Sequence, residues 1–460
     1  MNDTAEQIIV EKLESQRTYF STHQTRDIGF RLTQLRKLRQ AIDQYRGKIE
    51  QALWVDLHKS PEEAFLTEIS IVTGEINNHI KHLKKWAKPK RVPTPIQLLP
   101  SSSKIIYEPL GVALIVAPWN YPFQLLINSL VGAISAGCCS ILKPSPDAPT
   151  IARVMEEMIH EHFAPEYVSV VQGGRETNTR LFAQRFDIIF FTGSPKVGKV
   201  VMEAAAKHLT PVVLELGGKS PCIVDADANI DIAAKRIAWG KLINAGQTCI
   251  APDYLLAHQA VKDELLDKIA ENIRSMYGGT DIKQSRFYPR IVSERAMERL
   301  TGLLNQGTIH TGGEVDASDK YIAPTIIDDV SPDFMVMQDE IFGPILPVIT
   351  FEHIDEAIGY VNKNEKPLAF YYFGKNKQAK EVLSKTTSGG GCINDTLLHI
   401  ANHHMPFGGV GNSGTGNYHG RESFLAFSNQ RSIVTSPTWI DLPFKYVPFK
   451  YFWVLKRILK

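Results

Sequence analysis

The chain has 460 residues, 43% hydrophobic and 22% charged, and its 51 lysines and arginines oppose 49 aspartates and glutamates for a formal charge of +2. That length supplies cores for about two or three domains. Near balance of charge, with ample apolar residue to bury, excludes a disordered chain and a binder of the nucleic-acid backbone.

The amino end, MNDTAEQIIVEKLESQRTYF, is acidic and periodic, without the basic segment, apolar run and cleavage site of a secretory signal. Residues 5–58 read as helices, because Leu32, Leu35, Leu38, Ile42, Ile49 and Leu53 recur at helical spacing among charged positions. A further helical stretch reaches about Trp86. Pro89, Pro93, Pro95 and Pro100 then enforce an extended excursion. From Ile105 the texture changes to short, nearly all-apolar strands: 111–118, 139–145, 167–173 and 187–193. Strands without alternation are buried on both faces, so 105–213 reads as an open parallel α/β unit. A second α/β unit begins near LELGGKSPCIV (214–224), with helical 229–244 and 261–276 and apolar segments at 254–258, 345–350 and 368–373. The glycine-rich run 405–428 reads as a turned loop and not a helix. The carboxyl end, YVPFKYFWVLKRILK, joins an aromatic and aliphatic run to Lys450, Lys456, Arg457 and Lys460; it either docks on protein or lies on an anionic membrane.

Cys138, Cys139, Cys222, Cys249 and Cys392 are dispersed and contain no CxxC pair, so no metal site is expected, and a reducing, cytoplasmic location fits them as buried thiols. No apolar stretch reaches the roughly 20 residues that span a bilayer.

Several positions could carry chemistry. Cys249 follows Gly246 and the polar approach Asn244, Gln247, Thr248, unusual for a thiol that fills a core; a nucleophile there needs a field that lowers its pKa. Glu215, before Gly217 and Gly218, is either a base at a strand end, raised by apolar surroundings, or the partner of a buried cation. Asn120 follows the most apolar strand and is either an oxyanion donor or a helix cap. Lys143 ends the next strand and can meet a ribose hydroxyl or phosphate, or solvent. Gly193 and Ser194, with Gly198 a turn later, let a pyrophosphate approach a helix amino end, although GxGxxG is absent. Glu340, ahead of Gly343 and Pro344, can accept ribose hydroxyls or cap a helix.

Taken together, PWNYPF at Asn120, LKPS at Lys143, FTGSPKVG at Gly193, LELGGKSP at Glu215, GQTC at Cys249, EIFGPILP at Glu340 and PFGGVGNSG at Gly408 resemble the NAD(P)-dependent aldehyde dehydrogenase superfamily, in its order and over nearly the whole chain. The short amino end and the stretch MPFGGVGNSGTGNYHG resemble its class 3 branch, which acts on fatty and aromatic aldehydes. The resemblance implies an α/β fold with a Rossmann-like cofactor domain (1–88 and 105–213), an α/β catalytic domain (214–413), a bridging and oligomerisation element (89–104 and 414–440) and an amphipathic basic tail (441–460). It makes Cys249 the nucleophile that forms a thioester, Asn120 and the Cys249 N–H the oxyanion donors, and Glu215 the base that hydrolyses the thioester. It assigns Lys143, Gly193, Ser194, Gly198, Glu340 and Phe342 to the cofactor, and the remaining cysteines to packing. It implies a homodimer, with peripheral membrane contact open to the tail. Where class 3 relatives often place Glu after Lys-Pro-Ser, this chain has Pro146, so NAD is expected first with NADP also open. An acylating enzyme using coenzyme A and a non-catalytic homologue are the alternatives.

Overall fold

A computed structural model describes residues 3–279 and 281–459; Lys460, counted above with the basic tail, lies outside them. Helices Glu6–Ser21 and Ile28–Leu57 carry the amino end, and the leucines and isoleucines that set the periodicity are buried. The next helical stretch ends at Trp86.

Beyond the proline-rich segment, strands Val112–Val116, Cys139–Lys143, Val168–Val170, Ile188–Gly193 and Val212–Leu216 form one parallel sheet. These strands are apolar on both faces because helices cover both; Pro122–Ala136 is buried along its whole length and correspondingly rich in apolar residues. In space the order runs 212–216, 188–193, 112–116, 139–143, 168–170, with the short strand Gly414–Thr415 antiparallel at the outer edge of 212–216.

The second sheet holds seven strands, with Pro221–Val224 and Tyr254–His258 at its centre, Ile345–Phe351 and Ala369–Phe373 flanking them, and antiparallel Thr308–Thr311 at one edge. A third sheet joins Lys90–Val92, Ser102–Pro109 and Ser428–Thr435 in antiparallel pairing.

Three boundaries differ from the sequence reading. Val212–Leu216 hydrogen-bonds into the first sheet, so the passage between sheets is Gly217–Ser220 and not residue 214. The extended excursion runs on through Pro109, and Gly414–Thr415 belongs to the first sheet. Pairing partners decide these memberships, and they lie far away in sequence. The glycine-rich run turns tightly as far as Gly420, but Arg421–Ala426, free of glycine, closes it as a helix. In the tail Phe452–Ile458 is a short helix, and no helix among the described residues is long and apolar enough to cross a membrane.

Candidate active site

The first sheet reverses direction between Val112–Val116 and Ile188–Gly193: one connection leads toward 139–143 and the other toward 212–216. A crevice opens beyond the carboxyl ends of strands at such a point. Asn120 follows the first of these strands, Gly193 and Ser194 end the second, and Lys143 and Glu215 lie at the ends of their neighbours. The loop bearing Cys249 comes from the second unit, after helix Ile230–Leu242.

That loop is held in an uncommon shape. Asn244, Ala245 and Gly246 have φ of 54°, 52° and 73°, and a Cβ at Gly246 would stand 2.2 Å from the Gly343 carbonyl oxygen. The polar approach proves to be its scaffold. Asn244 Nδ2 donates to the Asn120 carbonyl at 2.8 Å, Gln247 Nε2 donates to the Arg290 carbonyl at 3.0 Å, and Gln247 Oε1 accepts the Val292 N–H at 3.0 Å. Thr248 Oγ1 and Tyr121 Oη lie 2.6 Å apart. These bonds offset the strain of left-handed non-glycine residues, about 1–2 kcal/mol each.

Cys249 lines an apolar cavity of about 370 Å³ together with Glu215, Tyr121, Trp239, Phe407 and Tyr418. Burial pushes its thiol up, with the charges of Glu340 and Glu215 acting the same way against the N–H groups of Cys249 and Ile250. The resting site thus disfavours a standing thiolate, chiefly through burial. Glu215 is 2% exposed, neither carboxylate oxygen has a hydrogen-bond partner, and burial alone drives it well above the usual carboxylate range. No buried cation pairs with it among the described residues.

Asn120 Nδ2 donates to the Gln247 carbonyl at 3.0 Å, which fixes the amide two residues from the cysteine. It does not cap the following helix: the Phe123 and Gln124 N–H groups are taken by Glu68 Oε2 at 2.9 and 3.1 Å. Glu68 is paired at 2.6 Å with Lys59, both fully buried, and Lys59 Nζ also donates to the Asn120 carbonyl at 2.9 Å and sits 4.0 Å from the Tyr121 ring centre. Lys59, Glu68 and Tyr418 escaped the sequence reading as site residues. A lysine within HKS looks like a surface residue, and only its distant partners show otherwise.

The expected cofactor residues form a compatible set. Lys143 is 1% exposed, donates to the Pro144 carbonyl at 2.8 Å, and burial lowers it to about 8 against the charges of Asp3 and Asp147. Ser194 caps helix Pro195–Ala206, its Oγ accepting the Val197 N–H at 3.4 Å, and this amino end is free of acidic side chains. Gly198 lets the helix approach Leu216, whose Cδ2 would be 2.8 Å from an added Cβ. Glu340 is pushed up to about 8 by burial and then by Asp253; its Oε1 is buried without a partner, and its other oxygen would meet a Cβ on Gly217 at 2.1 Å. No helix follows for it to cap. The Phe342 ring meets Trp119 edge-on at 5.4 Å. A buried ammonium, a helix amino end and an orphaned carboxylate oxygen match hydroxyls and a pyrophosphate, as a nicotinamide dinucleotide presents them.

A Rossmann-like sheet facing a second sheet, with a cysteine, a carboxyl group and an amide between them, defines a class of cysteine-bearing α/β oxidoreductases. The chain belongs to the aldehyde dehydrogenase family, whose model matches residues 3–433. It is 47% identical over 446 residues to the 4,4'-diaponeurosporen-aldehyde dehydrogenase of Staphylococcus aureus (strain NCTC 8325 / PS 47), with 96% of this chain and 97% of that protein covered. To the dimeric NADP-preferring aldehyde dehydrogenase of Canis lupus familiaris it is 43% identical over 443 residues, covering 96% and 98%. A solved structure described as the substrate-bound state of Staphylococcus aureus AldH superposes with a TM-score of 0.96 at 46% identity, covering 98% of this chain and 99% of that one. The chain is therefore an enzyme, and its family's reaction is the oxidation of aldehydes with NAD or NADP.

Proposed function

We propose that this chain oxidises medium- or long-chain aliphatic, or aromatic, aldehydes to carboxylic acids through a thiohemiacetal and a thioester on Cys249, with NAD as the first cofactor and NADP also used. The observation that carries the reading is the apolar cavity that holds Cys249 beside a Glu215 with no partner. Once deprotonated, the sulfur adds to the aldehyde carbon. The second N–H of Asn120 Nδ2 and the Cys249 backbone N–H stabilise the oxygen as it gains charge. Bound NAD(P) supplies the acceptor for the hydride that leaves this carbon. Glu215 then takes a proton from the water that attacks the thioester, releasing the acid and restoring the thiol; burial, which raises its pKa, makes its carboxylate the stronger base once ionised. Lys143, Gly193, Ser194, Gly198, Glu340 and Phe342 would hold the cofactor.

Pro146 offers no carboxylate to repel a ribose 2′-phosphate, while the charges of Asp3 and Asp147 reach Lys143 and favour NAD. The names of the relatives support a long apolar aldehyde, use of NADP and a homodimer. We assign the protein to the cytoplasm, with the tail docked on a neighbouring subunit in preference to a membrane.

The test is kcat/KM for hexanal, a long-chain aldehyde and benzaldehyde, each with NAD and NADP, with the products identified. The free acid is expected whether or not coenzyme A is present, with the apolar long-chain substrate at least as good as hexanal. Acyl-coenzyme A as the main product would make the enzyme an acylating one. No cofactor reduction by protein with a reduced Cys249 would make it a non-catalytic homologue.

A further inference from the structure

A second chamber, of about 350 Å³, lies beside the apolar cavity, between the end of helix Ser70–Trp86 and the segment 403–422, and His403 lines both. The chamber has the opposite chemistry. Four histidines, His82, His403, His404 and His419, line it with Lys85 and Arg421 against one carboxylate, Glu422.

Two of these side chains are built in. His403 Nδ1 is held 2.9 Å from Oε2 of Glu75, a fully buried carboxylate that also accepts the Gly420 N–H at 2.6 Å, so the ring stands fixed in the shared wall. The hydrogen bond His403 donates to Glu75 makes the ring easier to protonate. His419 is 1% exposed; it donates to the Ile400 carbonyl, and its Nε2 has no partner. A buried ring nitrogen left unsatisfied is costly unless a ligand completes it. Burial pushes His419 down to about 4, so Nε2 is a bare acceptor that a carboxyl group completes only by bringing its own proton, while Lys85 and Arg421 at the rim supply positive charge.

We propose that this chamber binds a carboxylate carried at the far end of the aldehyde, so that ω-oxo acids of suitable length are held at both ends of the paired cavities. The inference rests on reading the Cys249 cavity as the aldehyde site. Its test compares kcat/KM for ω-oxo acids and n-alkanals matched in chain length. Over a window of lengths the ω-oxo acid should win by about tenfold, the size expected of one charge-assisted contact, and the margin should shrink with added salt. Replacing both rim cations, Lys85→Ala with Arg421→Ala, should abolish the margin and leave alkanals unchanged. Calorimetry needs no turnover: the dicarboxylate product should bind more tightly than the monocarboxylate of equal length, and only in the unsubstituted protein. Equal values for the two substrate series, or an equal loss for both in the double variant, would overturn the inference while leaving the aldehyde site intact. Tight dicarboxylate binding without oxidation of any aldehyde would uphold the chamber and overturn the reading of Cys249.

Discussion

Around Cys249 the charges act against a standing thiolate. Burial is the main cause, and Glu340 adds to it only when ionised, which burial delays to about pH 8. In the cofactor-free enzyme the rate of Cys249 alkylation by iodoacetamide should therefore keep rising past pH 9, where an ordinary cysteine levels off. Glu340→Gln should speed alkylation several-fold at pH 9 and little at pH 7, because below about 8 the native carboxyl is already neutral; a uniform effect across pH would contradict this electrostatic link. Asn120 has one N–H committed to Gln247 and one to offer. Asn120→Ala should lower kcat by about 10²–10³, or roughly 3–4 kcal/mol of transition-state stabilisation, as removal of an oxyanion donor does. An unchanged steady-state rate would release Asn120 from that role. The candidacy of Cys249, Glu215 and Asn120 was readable from their motifs. Lys59, which holds the Asn120 carbonyl from 61 residues away, was not, because nothing local distinguishes it from a solvated lysine.

The element that matters most is the left-handed turn 244–246 ahead of the cysteine. Gly246 combines a φ of 73° with close contact to Gly343, so it couples the Cys249 loop to the loop that bears Glu340. Gly246→Ala adds backbone strain of about 1–2 kcal/mol and a clash that must move one loop or the other. We expect a lower unfolding temperature by calorimetry and a large loss of turnover; if both stay at the native values, the turn is not the anchor described. Strands were well legible at this scale. Four nearly all-apolar segments fall within a few residues of the observed strands 112–116, 139–143, 168–170 and 188–193, since burial on both faces leaves its mark in every residue.

On the scale of the whole molecule, the isolated chain exposes a run of large apolar side chains near its carboxyl end: Trp439 is 77% exposed, Val447 77% and Trp453 65%. Surface of this kind marks an interaction site. Sedimentation of the full chain should show a dimer, and truncation after residue 440 should shift it toward monomer at low concentration. A truncated chain that dimerises as well as the full one, but no longer binds anionic vesicles, would give the tail to the membrane instead.

By itself the sequence determined the kinds of element, the apolar strands of the first sheet and the residues at their ends, because burial pattern and backbone preference are written locally. Only the tertiary structure decided that Val212–Leu216 joins the first sheet, that both oxygens of Glu215 lack partners, and that four histidines, a lysine and an arginine from two distant segments enclose one chamber. Each of these depends on which remote groups fold against a residue, and a side chain's charge state and solvation follow from those neighbours and not from its own place in the chain.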